Sequence, residues 1–315
     1  MAITKQDIQE SHKRIKPFIH RTPVLESHSI NEMCGCSVFF KCENFQKIGA
    51  FKIRGGMNAS LQLPSSKLAK GLATHSSGNH AQAIALAAKL LNTRAYIVMP
   101  NNSPAVKVNA VKGYGAEITF CEPTLQARED TMETVISKTG AEFIHPFNDE
   151  KIIAGQATAT KELLEEVEEI EAIFAPVGGG GLLSGTSLSA KFYGSNINVY
   201  AGEPEGAADA VLSFQTGKIE TAPYIKTIAD GLLTTLGEIT IEIIRENVSD
   251  IFTVSEKEII NSMRLIYERM KIVVEPSSAV PLAALIKNAE HFRNKRVGII
   301  ISGGNVDLSN FKEWF

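Results

Sequence analysis

Short apolar runs alternate with amphipathic segments along this chain. The runs are rich in branched and aromatic residues, which are typical of buried strands, and they lie at 94–99, 117–121, 172–177, 199–202 and 297–302. Strands that alternate with helices usually form a parallel sheet with helices packed against both faces. The pattern therefore predicts an α/β fold.

The spacing of apolar residues also predicts individual helices. One is predicted over 84–91, where apolar residues recur at i, i+3, i+4 and i+7, at Ile84, Ala87, Ala88 and Leu91. Another is predicted over 162–171, where acidic residues should form a solvated face opposite Leu163, Val167 and Ile170. The N-terminal segment 1–7 has no apolar signal core and reads as the capped start of an amphipathic helix.

The composition predicts a soluble globular protein. The chain has 315 residues, of which 44% are hydrophobic, and this suffices for a substantial core. The net charge is −3 and the lysines are scattered, so nucleic acid is not an expected partner. No apolar run approaches membrane-spanning length. A cytoplasmic protein without a membrane partner is expected.

Four cysteines, Cys34, Cys36, Cys42 and Cys121, occur in the sequence. They form no C-x-x-C pair and lie beside no suitable histidine, so neither a zinc site nor a disulfide framework is predicted. They are expected to be reduced and largely buried.

Lys52 is the first candidate for chemistry. It lies between Phe51 and Ile53 and shortly before the glycine pair Gly55-Gly56. A lysine that is partly removed from water loses some of its preference for the charged form, and its neutral amine can attack an aldehyde. Lys52 is therefore a candidate Schiff-base amine, although this segment alone would also suit an ordinary surface lysine.

Four consecutive glycines, 178–181, separate a predicted strand from a predicted helix. Without side chains, successive backbone N–H groups can converge on an anion, and a helix N-terminus adds a favourable partial charge. The motif is neither a dinucleotide fingerprint nor a P-loop, because it lacks a required glycine of the first and the lysine of the second. It predicts a phosphate cup, with a tight helix–strand turn as the alternative.

Ser76 and Ser77 precede Gly78-Asn79-His80 and a predicted helix. The exposed N–H groups of such a segment suit an anion, and a substrate carboxylate fits there. The alternative is a serine that simply caps the helix.

These segments, together with the one at 301–305, resemble the fold type II pyridoxal-phosphate (PLP) enzymes, in the branch that holds serine racemase and threonine dehydratase. The resemblance covers nearly the whole chain. It implies two domains with twisted, mostly parallel sheets and PLP in the cleft between them. The implied large domain comprises 1–71 and 149–315, and the implied small, inserted domain comprises 72–148. A homodimer is the usual state of the family.

The resemblance also implies roles for single residues. Lys52 would carry the cofactor, Ser302 would face its pyridine nitrogen, and Ser77 would face Cα opposite the lysine. A neutral hydroxyl leaves that nitrogen largely unprotonated, which favours loss of a β-substituent. The implied cofactor contacts are Phe51, Lys52, Asn79, Gly178, Gly179, Gly180, Gly181, Leu182 and Ser302. The implied substrate contacts are Ser76, Ser77, Asn79, His80 and Arg128, and we assign no proton-transfer role to His80.

An acidic segment after the strand at 199–202 suggests a cation site. Two carboxylates and a carbonyl are hard oxygen ligands that suit Mg²⁺, Ca²⁺ or Mn²⁺. The resemblance assigns them to Glu203, Asp209 and the carbonyl of Ala207, whereas the residues alone would also suit an acidic turn that caps a helix.

A nucleotide site is a further implication of the resemblance. Some positions match those that contact ATP at the dimer interface of mammalian-type serine racemases, namely Lys47, Gln82, Pro104, Lys107 and Tyr114. His28 and Ser29 depart from that pattern. ATP is therefore expected at most as an effector.

The expected function is that of a PLP-dependent serine racemase and dehydratase acting on small β-hydroxy amino acids. Lys52 would remove the Cα proton. Loss of a β-hydroxyl would then lead to a 2-oxo acid and ammonia, whereas a proton from Ser77 on the opposite face would give the other enantiomer. Alternatives are 3-hydroxyaspartate ammonia-lyase, for which Arg128 could pair a second carboxylate, and catabolic threonine dehydratase. A PLP-binding regulator without catalysis would not need both Lys52 and Ser77.

Overall fold

Two mostly parallel sheets organise the structure, a computed structural model that describes residues 3–103 and 105–315. The strands in these ranges are β1 (Val24–Leu25), β2 (Ser37–Cys42), β3 (Leu72–His75), β4 (Ala95–Pro100), β5 (Glu117–Cys121), β6 (Glu142–Phe143), β7 (Ala172–Pro176), β8 (Asn198–Pro204), β9 (Asp250–Val254) and β10 (Arg296–Ile301). All five strands predicted from the apolar runs are present, with ends shifted by no more than two residues. The predicted α/β class is confirmed.

The larger sheet has six strands in the order β1-β2-β10-β7-β8-β9. Only β1 is antiparallel to its neighbour. The smaller sheet has four parallel strands in the order β5-β4-β3-β6. The carboxyl ends of parallel neighbours meet at one edge of a sheet, where ligands of open α/β sheets bind.

Helices cover these sheets. In the described ranges they are α1 (Lys5–Ile15), α2 (His28–Cys34), α3 (Lys52–Ser60), α4 (Ser65–Leu68), α5 (Asn79–Leu90), α6 (Ala105–Gly113), α7 (Leu125–Thr139), α8 (Glu150–Glu166), α9 (Gly181–Tyr193), α10 (Ala210–Thr216), α11 (Glu238–Asn247), α12 (Glu256–Leu265), α13 (Pro276–Lys287) and α14 (Phe311–Trp314). Short 3-10 turns and one π-turn, Ile266–Met270, lie between them. None of these helices is long and apolar enough to cross a bilayer.

Two predicted helices form as expected. The helix start predicted within 1–7 is a capping box, in which the Asp7 N–H donates to the Thr4 hydroxyl and the Thr4 N–H donates to the Asp7 carboxylate. In α5, Ile84, Ala87 and Ala88 are buried in the core that also packs against α3. All four cysteines are free and buried, as predicted.

The prediction for the acidic segment was partly wrong. Helix α8 ends at Glu166, and Glu162 lies inside the protein with 1% of its surface exposed. It is buried because Arg54 and Lys41, themselves fully buried, donate to its carboxylate at 2.7 and 2.8 Å. Burial alone would raise the pKa of Glu162, but hydrogen bonds from His12 and Arg54 hold it well below its usual range.

The same ion cluster anchors the start of α3. Arg54 also donates from Nε to Glu43 at 2.7 Å, and Glu43 in turn accepts from the Thr22 hydroxyl at 2.5 Å. Lys41, Glu43 and Arg54 come from β2, from the turn after it and from α3. The cluster therefore holds α3, and Lys52 at its first position, against the end of β2.

Candidate active site

Three strand ends of the larger sheet bring the predicted cofactor residues to one edge. Strands β2, β10 and β7 are parallel neighbours. Residues 178–181 follow β7, Ser302 follows β10, and the two turns after β2 lead to Lys52. The backbone also joins two of these segments, because the Phe51 N–H donates to the Ser302 carbonyl at 3.0 Å.

Lys52 is half-buried, and its Nζ donates to the carbonyl of Pro146 at 2.8 Å. Desolvation lowers the pKa of its amine to about 8, although the Glu275 carboxylate acts in the opposite direction. The amine also lies 5.2 Å from the centre of the Phe51 ring. A lysine with this pKa is partly neutral near neutral pH and can act as a nucleophile or a base.

Ser302 is buried at the end of β10. Its hydroxyl lies 2.9 Å from the hydroxyl of Ser278. Ser278 is itself fixed by the backbone, since its hydroxyl donates to the Gly303 carbonyl and accepts from the Gly303 N–H, both at 2.7 Å. Ser302 thus presents a neutral hydroxyl at the end of β10.

The glycine segment wraps around the ring of Phe147. A Cβ atom added at Gly179 would lie 2.3 Å from that ring, and one added at Gly181 would lie 3.0 Å from the Phe147 side chain. Gly180 has φ +84°, and a Cβ there would lie 2.8 Å from Thr240. Side chains at these positions would collide with Phe147 or Thr240, so the packing requires glycine here. Helix α9 begins at Gly181, and Leu182 lies in its first turn.

The smaller sheet contributes four of the predicted substrate residues, Ser76, Ser77, Asn79 and His80, after the end of β3. Ser76 and Ser77 follow β3 and are half-buried. The Ser76 hydroxyl accepts from the Gly78 N–H at 3.2 Å. Asn79 starts α5, and its side-chain amide donates to the carboxylate of Glu275, just before α13, at 2.9 Å.

His80 is buried, and its Nε2 lies 3.1 Å from the carbonyl of Ile144. Burial and the nearby Lys52 hold the pKa of this imidazole well below its usual range. The ring is therefore neutral. Its Nδ1 has no hydrogen-bond partner among the described residues, although it is buried. An unpaired buried nitrogen at this place is compatible with the predicted ligand contact.

Arg128 lies half-buried in α7, and its Nε donates to the Thr124 carbonyl at 3.3 Å. Burial lowers the pKa of His75, and the positive charge of Arg128 lowers it further. His75 immediately precedes Ser76 and Ser77. The arginine is therefore an electrostatic neighbour of the predicted carboxylate-binding segment.

The predicted cation ligands lie at the end of β8. Glu203 and Asp209 are buried, and the Glu203 oxygens accept from the N–H groups of Ala210 and Val211 at 2.7 and 2.9 Å. Desolvation raises the pKa of Glu203 to about 8 and that of Asp209 to about 7. One Asp209 oxygen, Oδ2, has no partner in the described chain. No cationic side chain that the structure describes is among the groups that shift the pKa of either carboxyl. Ala207, which lies between the two residues in the sequence, is also buried.

The predicted nucleotide residues that the structure describes lie on neighbouring elements, because α5 packs against the turn Lys47–Gly49 and against α6. Pro104 lies outside the described residues. Gln82 is buried, and Tyr114 packs beside the core that contains α5. Lys107 is already paired, since its ammonium group contacts the carboxylate of Asp230.

Two features of this site were missed in the sequence. Glu275 is buried and binds Asn79, and its only signal was a single carboxylate in the apolar run 272–276. Burial and the nearby Asp230 raise the pKa of Glu275 to about 7. The second feature is the carbonyl of Pro146, which is a backbone atom and leaves no side-chain signal.

Residues 15–303 match the family described as pyridoxal-phosphate dependent enzyme (PALP). The chain belongs to this family, and its two sheets are those of the fold type II branch. It is 50% identical to the serine racemase of Dictyostelium discoideum, with 99% of this chain and 97% of that protein aligned. It is 49% identical to the beta-hydroxyaspartate dehydratase of Paracoccus denitrificans (strain Pd 1222), with 97% of each chain aligned. The structure of maize serine racemase matches with a TM-score of 0.96 at 46% identity, covering 99% of this chain and 97% of that chain.

Proposed function

We propose that this PLP-dependent enzyme racemises serine and also dehydrates it to pyruvate and ammonia. The observation that carries the proposal is the Lys52 amine, whose pKa is about 8 and whose neighbour Phe51 is bonded through its backbone N–H to the Ser302 carbonyl at the edge of the larger sheet. The similarity to serine racemases over nearly the full length supports the choice of substrate.

The residues at this edge fit the cofactor. Lys52 would hold its aldehyde, the N–H groups of 178–182 would hold its phosphate, and the Ser302 hydroxyl would face its ring nitrogen. The position of the glycines at the N-terminus of α9 supports this assignment, because backbone N–H groups at a helix start suit an anion. We propose Phe51 and Asn79 as further neighbours of the ring. When bound, pyridoxal phosphate supplies an electron sink for the charge that remains on Cα after a proton leaves.

The protein's own residues would move the protons. Lys52, partly neutral near pH 8, would take the proton from one face of Cα. Ser76 and the start of α5 would hold the substrate carboxylate. Ser77 would return a proton to the opposite face, which inverts the configuration. If the β-hydroxyl leaves before that proton arrives, it departs with a proton as water, and hydrolysis of the remaining unsaturated amine by another water gives a 2-oxo acid and ammonia.

A second function, 3-hydroxyaspartate ammonia-lyase, is favoured by Arg128. Its charge acts on His75, next to the proposed carboxylate-binding serines, and a guanidinium could bind a second carboxylate of the substrate. The similarity to the Paracoccus dehydratase supports this alternative. Threonine dehydratase remains a third candidate of the same chemistry.

A substrate panel tests the proposal. L-serine, D-serine, L-threonine and L-threo-3-hydroxyaspartate would each be incubated with the holoenzyme and assayed for 2-oxo acid and for product chirality. Formation of both D-serine and pyruvate from L-serine is expected. Turnover of 3-hydroxyaspartate without any D-serine would favour the second function, and no turnover of any of the four would refute the proposal.

We also propose a divalent cation, Mg²⁺, Ca²⁺ or Mn²⁺, at Glu203, Asp209 and the carbonyl of Ala207. The unpaired Asp209 oxygen and the raised pKa values of both carboxylates support it, since a cation would offset their charge. No group of three or more His, Cys, Asp or Glu side chains in the described ranges has metal-binding geometry, so water would complete such a site.

Other parts of the expectation stay predictions. These are the homodimer, the cytoplasmic location, the division into 1–71 with 149–315 and 72–148, and ATP as an effector. The two separate sheets support the domain division, because the strands of the smaller sheet all lie within 72–148. For ATP, the pairing of Lys107 with Asp230 means that a nucleotide would have to compete for this lysine.

A further inference from the structure

The Lys52 amine donates to the backbone carbonyl of Pro146. The turn that contains Pro146 is held by hydrogen bonds to a histidine side chain. Pro146 lies in the connection between β6 and α8. Proline has no N–H group, so it contributes only its carbonyl to the local hydrogen bonds. The next two N–H groups, of Phe147 and Asn148, both donate to Nδ1 of His145, at 3.2 and 2.8 Å.

His145 therefore organises the turn from its first position. A side-chain acceptor that binds the N–H groups two and three residues ahead has the role that an aspartate or asparagine has in an Asx turn. The ring is held between two aromatic residues, at 5.9 Å from the ring centre of Phe143 and 4.8 Å from that of Phe147, in edge-to-face contacts. Phe147 also packs on Gly179.

The turn is fixed at its far end as well. The Asn148 side-chain oxygen accepts from the N–H of Ile239, at the start of α11, at 2.9 Å. The carbonyl of Pro146 thus has little freedom to move relative to either sheet. A Lys52 amine that donates one N–H to this carbonyl has its lone pair directed elsewhere, and its position no longer depends on a flexible four-carbon chain alone.

We propose that His145 is a positioning residue for Lys52, because its Nδ1 orders the turn 145–148 that presents the Pro146 carbonyl to the amine. The inference rests on the proposed function in that Lys52 is the base. It requires Nδ1 to be unprotonated, which leaves the ring proton on Nε2.

The surroundings of His145 meet this requirement. Burial lowers the pKa of its imidazole to about 4, and the charges of His75 and Lys52 act in the same direction against the opposing Asp149. The ring therefore stays neutral at neutral pH. The other titratable groups that act on the Lys52 amine or feel its charge are Glu275 and His80.

Two substitutions distinguish the role of the His145 nitrogen as a hydrogen-bond acceptor from the role of its ring in packing. His145→Phe keeps an aromatic ring between Phe143 and Phe147 but removes the acceptor. His145→Asn loses the ring but can accept the same N–H groups in an Asx turn. We expect His145→Phe to lower kcat for serine dehydration by up to about 100-fold with a smaller change in KM, because the base is displaced but the carboxylate site is not. His145→Asn is expected to recover most of the lost rate.

A measurement without turnover tests the same point. In the cofactor-free protein, the rate of Lys52 acylation by acetic anhydride would be followed against pH by peptide mass spectrometry. The wild type should show a midpoint at about 8. In His145→Phe the loosened turn admits water, so the midpoint should rise toward that of exposed lysines, whereas His145→Asn should stay near the wild type.

The outcomes are decisive in each case. A wild-type midpoint and kcat in His145→Phe would overturn the proposal, as would equal losses in both variants. If thermal unfolding shows that His145→Phe does not fold, His145→Gln replaces it, because its longer amide cannot close the Asx turn and should differ from His145→Asn. If the wild type turned over none of the substrates, the proposed function would fail, but the acylation midpoints would still decide the role of His145.

Discussion

Asn79 and Glu275 lie 196 positions apart, yet the Asn79 amide donates to both oxygens of the Glu275 carboxylate, at 2.9 and 3.1 Å. The oxygen of the same amide accepts from Asn305 at 2.8 Å. This network joins the start of α5, near the smaller sheet, to the segments beside α13 and β10. Glu275 thereby fixes which way the Asn79 amide points.

Removing the charge of Glu275 should lower the pKa of Lys52. The carboxylate opposes the desolvation that already brings this pKa to about 8, and it is largely ionised there because its own pKa is about 7. In Glu275→Gln, which keeps an acceptor for Asn79, the midpoint of Lys52 acylation should therefore shift to lower pH. Glu313→Gln, at an exposed carboxylate in α14, is the matched control and should leave the midpoint unchanged. An upward shift in Glu275→Gln would contradict the prediction.

Ser77→Ala should separate racemisation from dehydration. It removes the proposed acid on the face opposite Lys52, so D-serine formation from L-serine should fall by about 10²–10⁴-fold while pyruvate formation persists. Chiral chromatography and a 2-oxo acid assay on the same samples measure both. Ser76→Ala is the control, because it removes only the hydroxyl that accepts from the Gly78 N–H and should affect both reactions alike. Racemisation by Ser77→Ala at the wild-type rate would show that Ser77 is not the proton donor.

Arg128 should select between substrates. Arg128→Ala is expected to reduce kcat/KM for 3-hydroxyaspartate far more than for serine, because only the dicarboxylate loses a charge-assisted contact of about 1.5–3 kcal/mol. Arg128→Lys keeps the charge without the bidentate geometry and should give an intermediate loss. Steady-state kinetics on both substrates provide the comparison, and equal losses on the two would identify a structural arginine.

A divalent cation should raise the melting temperature of the wild type, and a chelator should lower it. Saturation at 100 times the dissociation constant adds about 2.7 kcal/mol to the free energy of unfolding. Asp209→Asn removes the buried charge that the cation would offset, so this variant should melt higher than the metal-free wild type and no longer respond to Mg²⁺. Differential scanning calorimetry with and without chelator measures both effects. A wild type that responds to neither would leave Glu203 as a cap of α10.

The parts of the fold that were predicted from the sequence depend on local patterns. The strand at 117–121 and the buried face of α5 follow from the periodicity of neighbouring residues, and so does the glycine segment before α9. The burial of Glu162 could not be predicted in this way, because it depends on Arg54, 108 positions away. A helix with acidic residues looks the same in sequence whether its carboxylates face water or a buried guanidinium.

In the site, too, some residues were predicted from local sequence patterns, whereas others depend on contacts between distant parts of the chain. Lys52, Ser302 and 178–181 have recognisable motifs, and the strand order explains why they meet. The Pro146 carbonyl, 94 positions from Lys52, belongs to a group that every residue carries. Its role depends on the path of the chain and on His145, whose ring nitrogen acts on the backbone of its own turn.

The ion cluster around Arg54 restricts how this part of the protein can change over generations. Arg54, Glu43 and Glu162 are essentially excluded from water, so losing one partner leaves an uncompensated charge, at a cost of about 3–5 kcal/mol. That is a large fraction of the stability of a typical protein. A lineage could therefore replace the cluster by apolar residues only through nearly simultaneous substitutions in three separate segments. Because the cluster anchors the helix of Lys52, the position of Lys52 is equally resistant to change. Arg128 is half-buried and belongs to no such cluster among the described residues, so it can be replaced by a single substitution.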